Sequence, residues 1–216
     1  MSATSPEPDA QPRPVEERRA RILKEAATIF YEKGYERACI DDLIARVGGS
    51  KRTIYNEFGS KEGLFVAMVE MLVMSHAHQL VEGLNADEER GADLRQVLLD
   101  YGLHLMDIVM HPEVLAFHRT IIAEGKRFPK LAETFYAIGP GRSMGRLAEI
   151  LEHHRDKGEI ALADCRMASE QFSGIIRDGY YFAVLLGVQE PPTPVERERR
   201  VAAAVDLFLK GAAQRS

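Results

Sequence analysis

Gly48-Gly49-Ser50-Lys51-Arg52-Thr53-Ile54-Tyr55-Asn56-Glu57-Phe58-Gly59-Ser60-Lys61 reads as a turn, a short helix and a second turn. The paired glycines admit positive φ without steric cost, so the chain can reverse there. Ser50 has the type and place of an N-cap. Lys51 to Phe58 spans about two helical turns. Ile54 and Phe58, four apart, share one face and can anchor that helix to a core. Lys51, Arg52, Thr53, Tyr55 and Asn56 fill the other faces. A helix this short cannot stand alone in water. Two cations, a hydroxyl, a phenol and an amide are the donors that meet phosphates and base edges. The plain alternative is a small solvated helix with an ordinary polar face.

The upstream residues favour the first reading. Pro14-Val15-Glu16-Glu17 opens a helix, with proline in the first turn and acids at its positive end. Ile22, Leu23, Ala26, Ile29 and Phe30 form an apolar stripe at helical spacing. Gly34 has the place of a C′ glycine. A second helix is predicted from about Asp41 to Val47, with Leu43, Ile44 and Val47 inward. Asp41 to Phe58 is then helix, glycine turn, helix, an arrangement that frees the second helix to enter a major groove.

The run Ile22-Leu23-x-x-Ala26-x-x-x-Phe30-x-x-x-Gly34-Tyr35, then Ile40-Asp41-Asp42-Leu43-Ile44-Ala45, then Ser50-Lys51-x-Thr53-Ile54-Tyr55-x-x-Phe58-x-Ser60-Lys61-Glu62-x-Leu64-Phe65 resembles the TetR family of bacterial transcriptional regulators. The resemblance covers about Val15 to His76 without a gap. It implies an all-α protein: a three-helix helix-turn-helix head that binds DNA, then a helical bundle for effector binding and dimerisation. The DNA-binding set it implies is Ser50, Lys51, Arg52, Thr53, Tyr55, Asn56 and Lys61. Thr53, Tyr55 and Lys61 fall to phosphates, and Lys51, Arg52 and Asn56 to base edges or adjacent backbone. Two residues depart from the pattern. Cys39, a weak donor, stands where the family usually has a Ser or Thr that caps the second helix against a phosphate. Glu57 is unusual on a DNA-facing helix; it faces inward or screens part of the groove.

Composition agrees with a globular reading. The chain has 216 residues, 45% hydrophobic and 28% charged, ordinary values for a packed domain or two. The longest continuous apolar runs fall short of a bilayer span, no secretory signal is evident, and no membrane partner is expected. Cys39 and Cys165 lack metal-type spacing, so reduced thiols are the default. The net charge is −5, but Gln11 to Glu62 carries eleven cations and nine acids, a net +2 on the head and −7 elsewhere. A mildly basic head on an acidic body suits binding by one face.

Met1 to Pro12 lacks apolar periodicity and reads as a disordered leader. Arg13, Arg18, Arg19 and Arg21 sit at the junction with the first helix; the resemblance implies an arm that can reach the DNA backbone or minor groove, and Arg13 reads better as part of a solvated leader. The domain boundaries are a tail over 1–14, a head over 15–76 and a body over 77–216. A helix is predicted from Lys61 to about Gly83, then a polar loop over Asn85 to Gly91. The body is helical throughout, with one long helix from Asp164 to about Leu186 and a last one over about Val195 to Ala213.

Within the body, Pro112-Glu113-Val114, Ile122-Ala123-Glu124-x-x-Arg127-Phe128-Pro129-x-Leu131-Ala132, Phe135-Tyr136, Gly139-Pro140, Gly158 and Gln171-Phe172 resemble the C-terminal domain of the AefR-like branch. Phe172, Ile175, Gly179, Phe182 and Leu186, with Val201, Val205 and Phe208, follow three-four spacing. They either fill the monomer core or, as the resemblance implies, build a four-helix homodimer interface. Candidate effector residues are Tyr101, His104, Met106, His118, Tyr136, Met144 and Phe172, for a small molecule of apolar or aromatic type.

Enzyme chemistry finds no support. There is no His-Glu-x-x-His, no glutamate three residues before any histidine and no P-loop. No catalytic residue, metal or cofactor is expected. The expected function is a ligand-responsive repressor binding a pseudo-palindromic double-stranded DNA operator in the bacterial cytoplasm, associated with the nucleoid. A helical-bundle metalloenzyme and a helix-turn-helix module that docks only proteins are the alternatives.

Overall fold

A computed structural model describes residues 14–177 and 179–212. The expected leader, with Arg13, lies outside the described residues. The chain divides into two compact units, 1–68 and 69–216. Among the described residues there are helices and no strand.

The first unit holds α1 (Pro14–Arg37), α2 (Ile40–Val47), α3 (Lys51–Phe58) and the start of α4 (Lys61–Glu89). Gly34, at φ +72°, breaks α1 before its last turn. Gly48 and Gly49, at φ +74° and +94°, make the turn into α3. Ser50 caps α3, its Oγ accepting from Thr53 N at 3.3 Å. The expected stripe of α1 is buried from Ile22 to Phe30, with Leu43, Ile54, Phe58, Leu64 and Phe65 against it. Phe30 and Phe65 meet edge to face at 4.8 Å, and Tyr35 joins at 5.0 Å from Phe65. Ile44 and Val47 are only half-buried. Gly63 sits so close beneath the end of α3 that a Cβ there would lie 2.0 Å from the Phe58 carbonyl oxygen.

The second unit contains the rest of α4, α5 (Leu94–Met110), α6 (Pro112–Glu124), α7 (Pro129–Ile138), α8 (Pro140–Asp156), α9 (Cys165–Arg177), α10 (Tyr180–Leu185) and α11 (Pro194–Ala212). Two expectations need correction. α4 does not stop at Gly83 but runs to Glu89. Arg146 of α8 holds the added turns, with Nε donating to Asn85 at 2.7 Å and a second nitrogen paired with Glu88. The helix expected from Asp164 to Leu186 is two helices, because Gly179 takes φ +69° and breaks it. Asp164 does cap the first of them, accepting from Met167 N at 2.9 Å.

The apolar residues of α9, α10 and α11 divide between core and surface. Phe172, Val201, Val205 and Phe208, expected at a homodimer interface, fill this chain's own core, with Phe172 and Val205 at 0% exposure. Phe172 packs between Phe208, at 5.0 Å, and Tyr101, at 6.1 Å. Ile175, Phe182 and Leu186 stay outside, the last two 60% and 61% exposed. Gly179 is exposed at the break.

α4 is also more apolar than its continuous runs suggest. By length and composition it could cross a bilayer, with a mean hydropathy of 1.4, and half of that window is buried inside the protein.

Candidate functional site

The α3 surface is built outward from its anchors. Ile54 and Phe58 are buried, so Lys51, Arg52, Tyr55 and Asn56 are exposed and Thr53 is half-exposed. The Ser50 and Thr53 hydroxyls lie 3.0 Å apart. Lys51 Nζ pairs with Asp41 at 2.8 Å, which raises the lysine's pKa. Arg52 and Asn56 make no side-chain hydrogen bond or ion pair among the described residues. Lys61 Nζ donates to the Glu36 carbonyl at 3.1 Å and lies 4.6 Å from the Tyr35 ring centroid. Six of the seven expected residues thus gather on α3 and its cap, and the seventh begins α4.

The two departures have structural answers. Glu57 is exposed and pairs with Arg19 at 3.3 Å, while that guanidinium stacks 4.8 Å over Phe58. Glu57 therefore ties α3 to α1 instead of pointing inward. At the start of α2, Asp42 does the capping in reverse: its Oδ2 accepts from Cys39 N at 3.2 Å and from Cys39 Sγ at 3.0 Å. The Cys39 thiol contact and the Lys33 ammonium hold the Asp42 carboxyl down at about 2. The Cys39-x-x-Asp42 spacing was the sequence signal for this cap.

The second unit contains a half-open cavity of about 390 Å³, within the usual size of small-molecule sites, roughly 300–1,000 Å³. Of the expected effector residues, His118, Tyr136 and Met144 line it. Tyr101, Met106 and Phe172 are core residues, and His104 is exposed on α5. Sequence reading missed His76, Arg177 and Tyr181, which also line the cavity. The available signal was Arg177 itself, a charge four residues after Ser173 on the buried side of an amphipathic helix.

His118 Nδ1 and Tyr181 Oη share a hydrogen bond of 2.7 Å. Burial, and then the repulsion of the nearby Arg177 guanidinium, push the His118 pKa down to about 4. Between its ordinary value of 6.5 and about 4, the unfolded chain takes up a proton that the folded chain refuses. Stability is therefore complete above that window and falls as the pH drops through it. Thermal unfolding followed from pH 7 to 4 should show a steeper loss in the native protein than in His118→Gln. Parallel curves would remove His118 as the cause.

Comparison with known proteins adds two family matches. Residues 22–68 match "Bacterial regulatory proteins, tetR family", and residues 96–211 match "AefR-like transcriptional repressor, C-terminal domain". The chain belongs to the TetR family. Among curated relatives, the HTH-type transcriptional activator FasR of Mycolicibacterium smegmatis is 32% identical over 98 residues, 45% of this chain and 43% of that one. The transcriptional repressor NicS of Pseudomonas putida is 29% identical over 141 residues, 65% and 64% of the two chains. The chain thus spans less than two thirds of the length of these curated relatives. A TetR-family regulator from Mesorhizobium loti superposes with a TM-score of 0.85 at 23% identity, over 94% of this chain and all of that one. The flavonoid-responsive regulator FrrA superposes with a TM-score of 0.73 at 28% identity, over 93% and 99% of the two chains.

Proposed function

We propose that this TetR-family regulator is a repressor that binds a pseudo-palindromic DNA operator as a homodimer and releases it when a small organic molecule fills the cavity. The exposed, donor-rich face of α3 carries the DNA reading. Thr53, Tyr55 and Lys61 would hold phosphates, with the Ser50 hydroxyl at the start of the same helix. Arg52, Asn56 and Lys51 would meet base edges or adjacent backbone, Lys51 after giving up Asp41. One short helix reads few bases, so two copies about 34–36 Å apart are needed.

The homodimer reading rests on the exposed apolar residues Met167 and Ile175 on α9, Phe182 and Leu186 at α10 and Leu207 on α11. Solvent-facing side chains of this size on consecutive helices suit a partner surface. Effector action would travel through α4, which belongs to both units, and can be no larger than the ligand's differential affinity for the two states. Repression is favoured by the AefR-like repressor match and by NicS, while FasR is an activator. The flavonoid response of FrrA favours an organic effector here. Such a regulator works in the cytoplasm, where the chromosome is.

Retention of a genomic fragment library by the purified protein at two salt concentrations tests this reading. A pseudo-palindrome bound with steeply salt-dependent affinity is expected. Retention of no sequence, after refolding to strip bound effector, would point to the protein-docking alternative.

A further inference from the structure

The cavity of the second unit is uneven in charge. Arg177, in the last turn of α9, lines it. Its Nε donates to the Ser173 carbonyl at 3.3 Å, and it makes no ion pair among the described residues. The acid that also lines the cavity, Glu170, is exposed and held by Arg166 at 3.0 Å. A guanidinium facing apolar walls is costly unless a counter-charge meets it. Nearby His118 adds no second charge near neutral pH, because burial and Arg177 itself keep its imidazole neutral. The site therefore offers one fixed positive charge that no described carboxylate meets, beside the uncharged His118 imidazole and the hydroxyls of Ser143, Tyr136 and Tyr181.

The walls beside that charge are rings. Phe135 meets Phe117 edge-on at 5.3 Å and His118 at 5.4 Å, and His118 meets Tyr181 at 5.7 Å. Rings in edge and face contact extend the same geometry to a planar guest.

We propose that the cavity takes an aromatic carboxylic acid, its ring against Phe117, Phe135 and Tyr181 and its carboxylate on the Arg177 guanidinium. The fork of guanidinium donors matches the two oxygens of a carboxylate. A neutral amide of the same shape leaves the charge unmet. This proposal rests on the reading of the cavity as the effector site, and the test separates the two.

The full-length protein is loaded with the neutral fluorophore N-phenyl-1-naphthylamine at pH 7.5, and displacement is followed with 2-naphthoate, 2-naphthamide and decanoate. Naphthoate should displace it at a concentration about tenfold or more below naphthamide, the scale of a hydrogen bond to a charged group. In Arg177→Met the acid and the amide should become equal while the fluorophore still binds. Arg177→Lys should keep a preference for the acid. Equal displacement by acid and amide in the native protein overturns the proposal, as does an acid preference that survives Arg177→Met. Decanoate matching naphthoate overturns the aromatic body. Failure of the fluorophore to bind, or binding unchanged when Ala77→Phe fills the cavity, overturns the cavity reading itself and the proposal with it.

Discussion

Arg52→Ala should lower operator affinity by about 1–3 kcal/mol per half-site, roughly five- to 150-fold each, with the loss concentrated at one position in each half-site. Arg52 is exposed on α3, and no described carboxylate competes for it. Lys51 differs: it must leave Asp41, 2.8 Å away, before it can meet DNA, so Lys51→Ala should cost less than Arg52→Ala. Lys61→Ala and Tyr55→Phe should instead weaken all sequences alike, and Lys61→Ala, which removes one phosphate contact per subunit, should reduce the dimer's salt slope by about two. Fluorescence anisotropy on the operator and on each single-base variant, at several salt concentrations, measures all of this. If Lys61→Ala and Tyr55→Phe leave both affinity and slope unchanged, the phosphate assignments fail. If the Arg52→Ala loss is uniform across variants, Arg52 holds backbone and reads no base.

Leu207→Glu should convert the protein to a monomer and cut operator affinity more than about 100-fold. Leu207 is 62% exposed on α11, so a carboxylate there costs the isolated chain almost nothing. Buried against a second copy, the same carboxylate would be desolvated and unpaired. Two heads in one particle meet two half-sites at an effective concentration on the order of millimolar, and that advantage vanishes with the dimer. Phe182→Glu should act the same way. Val205→Glu is the contrast: Val205 is at 0% exposure, so the charge should unfold the second unit instead of separating two folded copies. Sedimentation velocity and thermal unfolding distinguish these results. A Leu207→Glu protein that remains dimeric would place the interface elsewhere.

The head was legible because its determinants are local. The Gly48-Gly49 turn, the Ser50 cap and the four-residue spacing of Ile54 and Phe58 each act within a few residues, and α3 begins and ends where they direct. The second unit was less so. An apolar stripe says that a helix has a face to cover and not what covers it, which is why Phe172 and Val205 could be read equally as core or as interface. A glycine at three-four spacing continues a helix or breaks it, and Gly179 breaks it. The added turns of α4 depend on Arg146, some sixty residues away in sequence, and no local pattern in a polar segment announces such a partner. Cavity lining depends on several helices at once, so His118, Tyr136 and Met144 could be named as candidates while Arg177 was passed over.

Gly63 gives the head a genetic signature. Because a methyl at this position would sit 2.0 Å from the Phe58 carbonyl oxygen, every one-base missense change in its codon forces the DNA-reading helix away from its seat. The strain falls where α3 joins α4, while the second unit keeps its own core. Spontaneous mutants selected for escape from regulation should therefore recur at codon 63. Their alleles should be recessive or dominant according to whether the altered subunit still pairs with a normal one, and a dominant pattern would disclose the dimer in living cells without any purification.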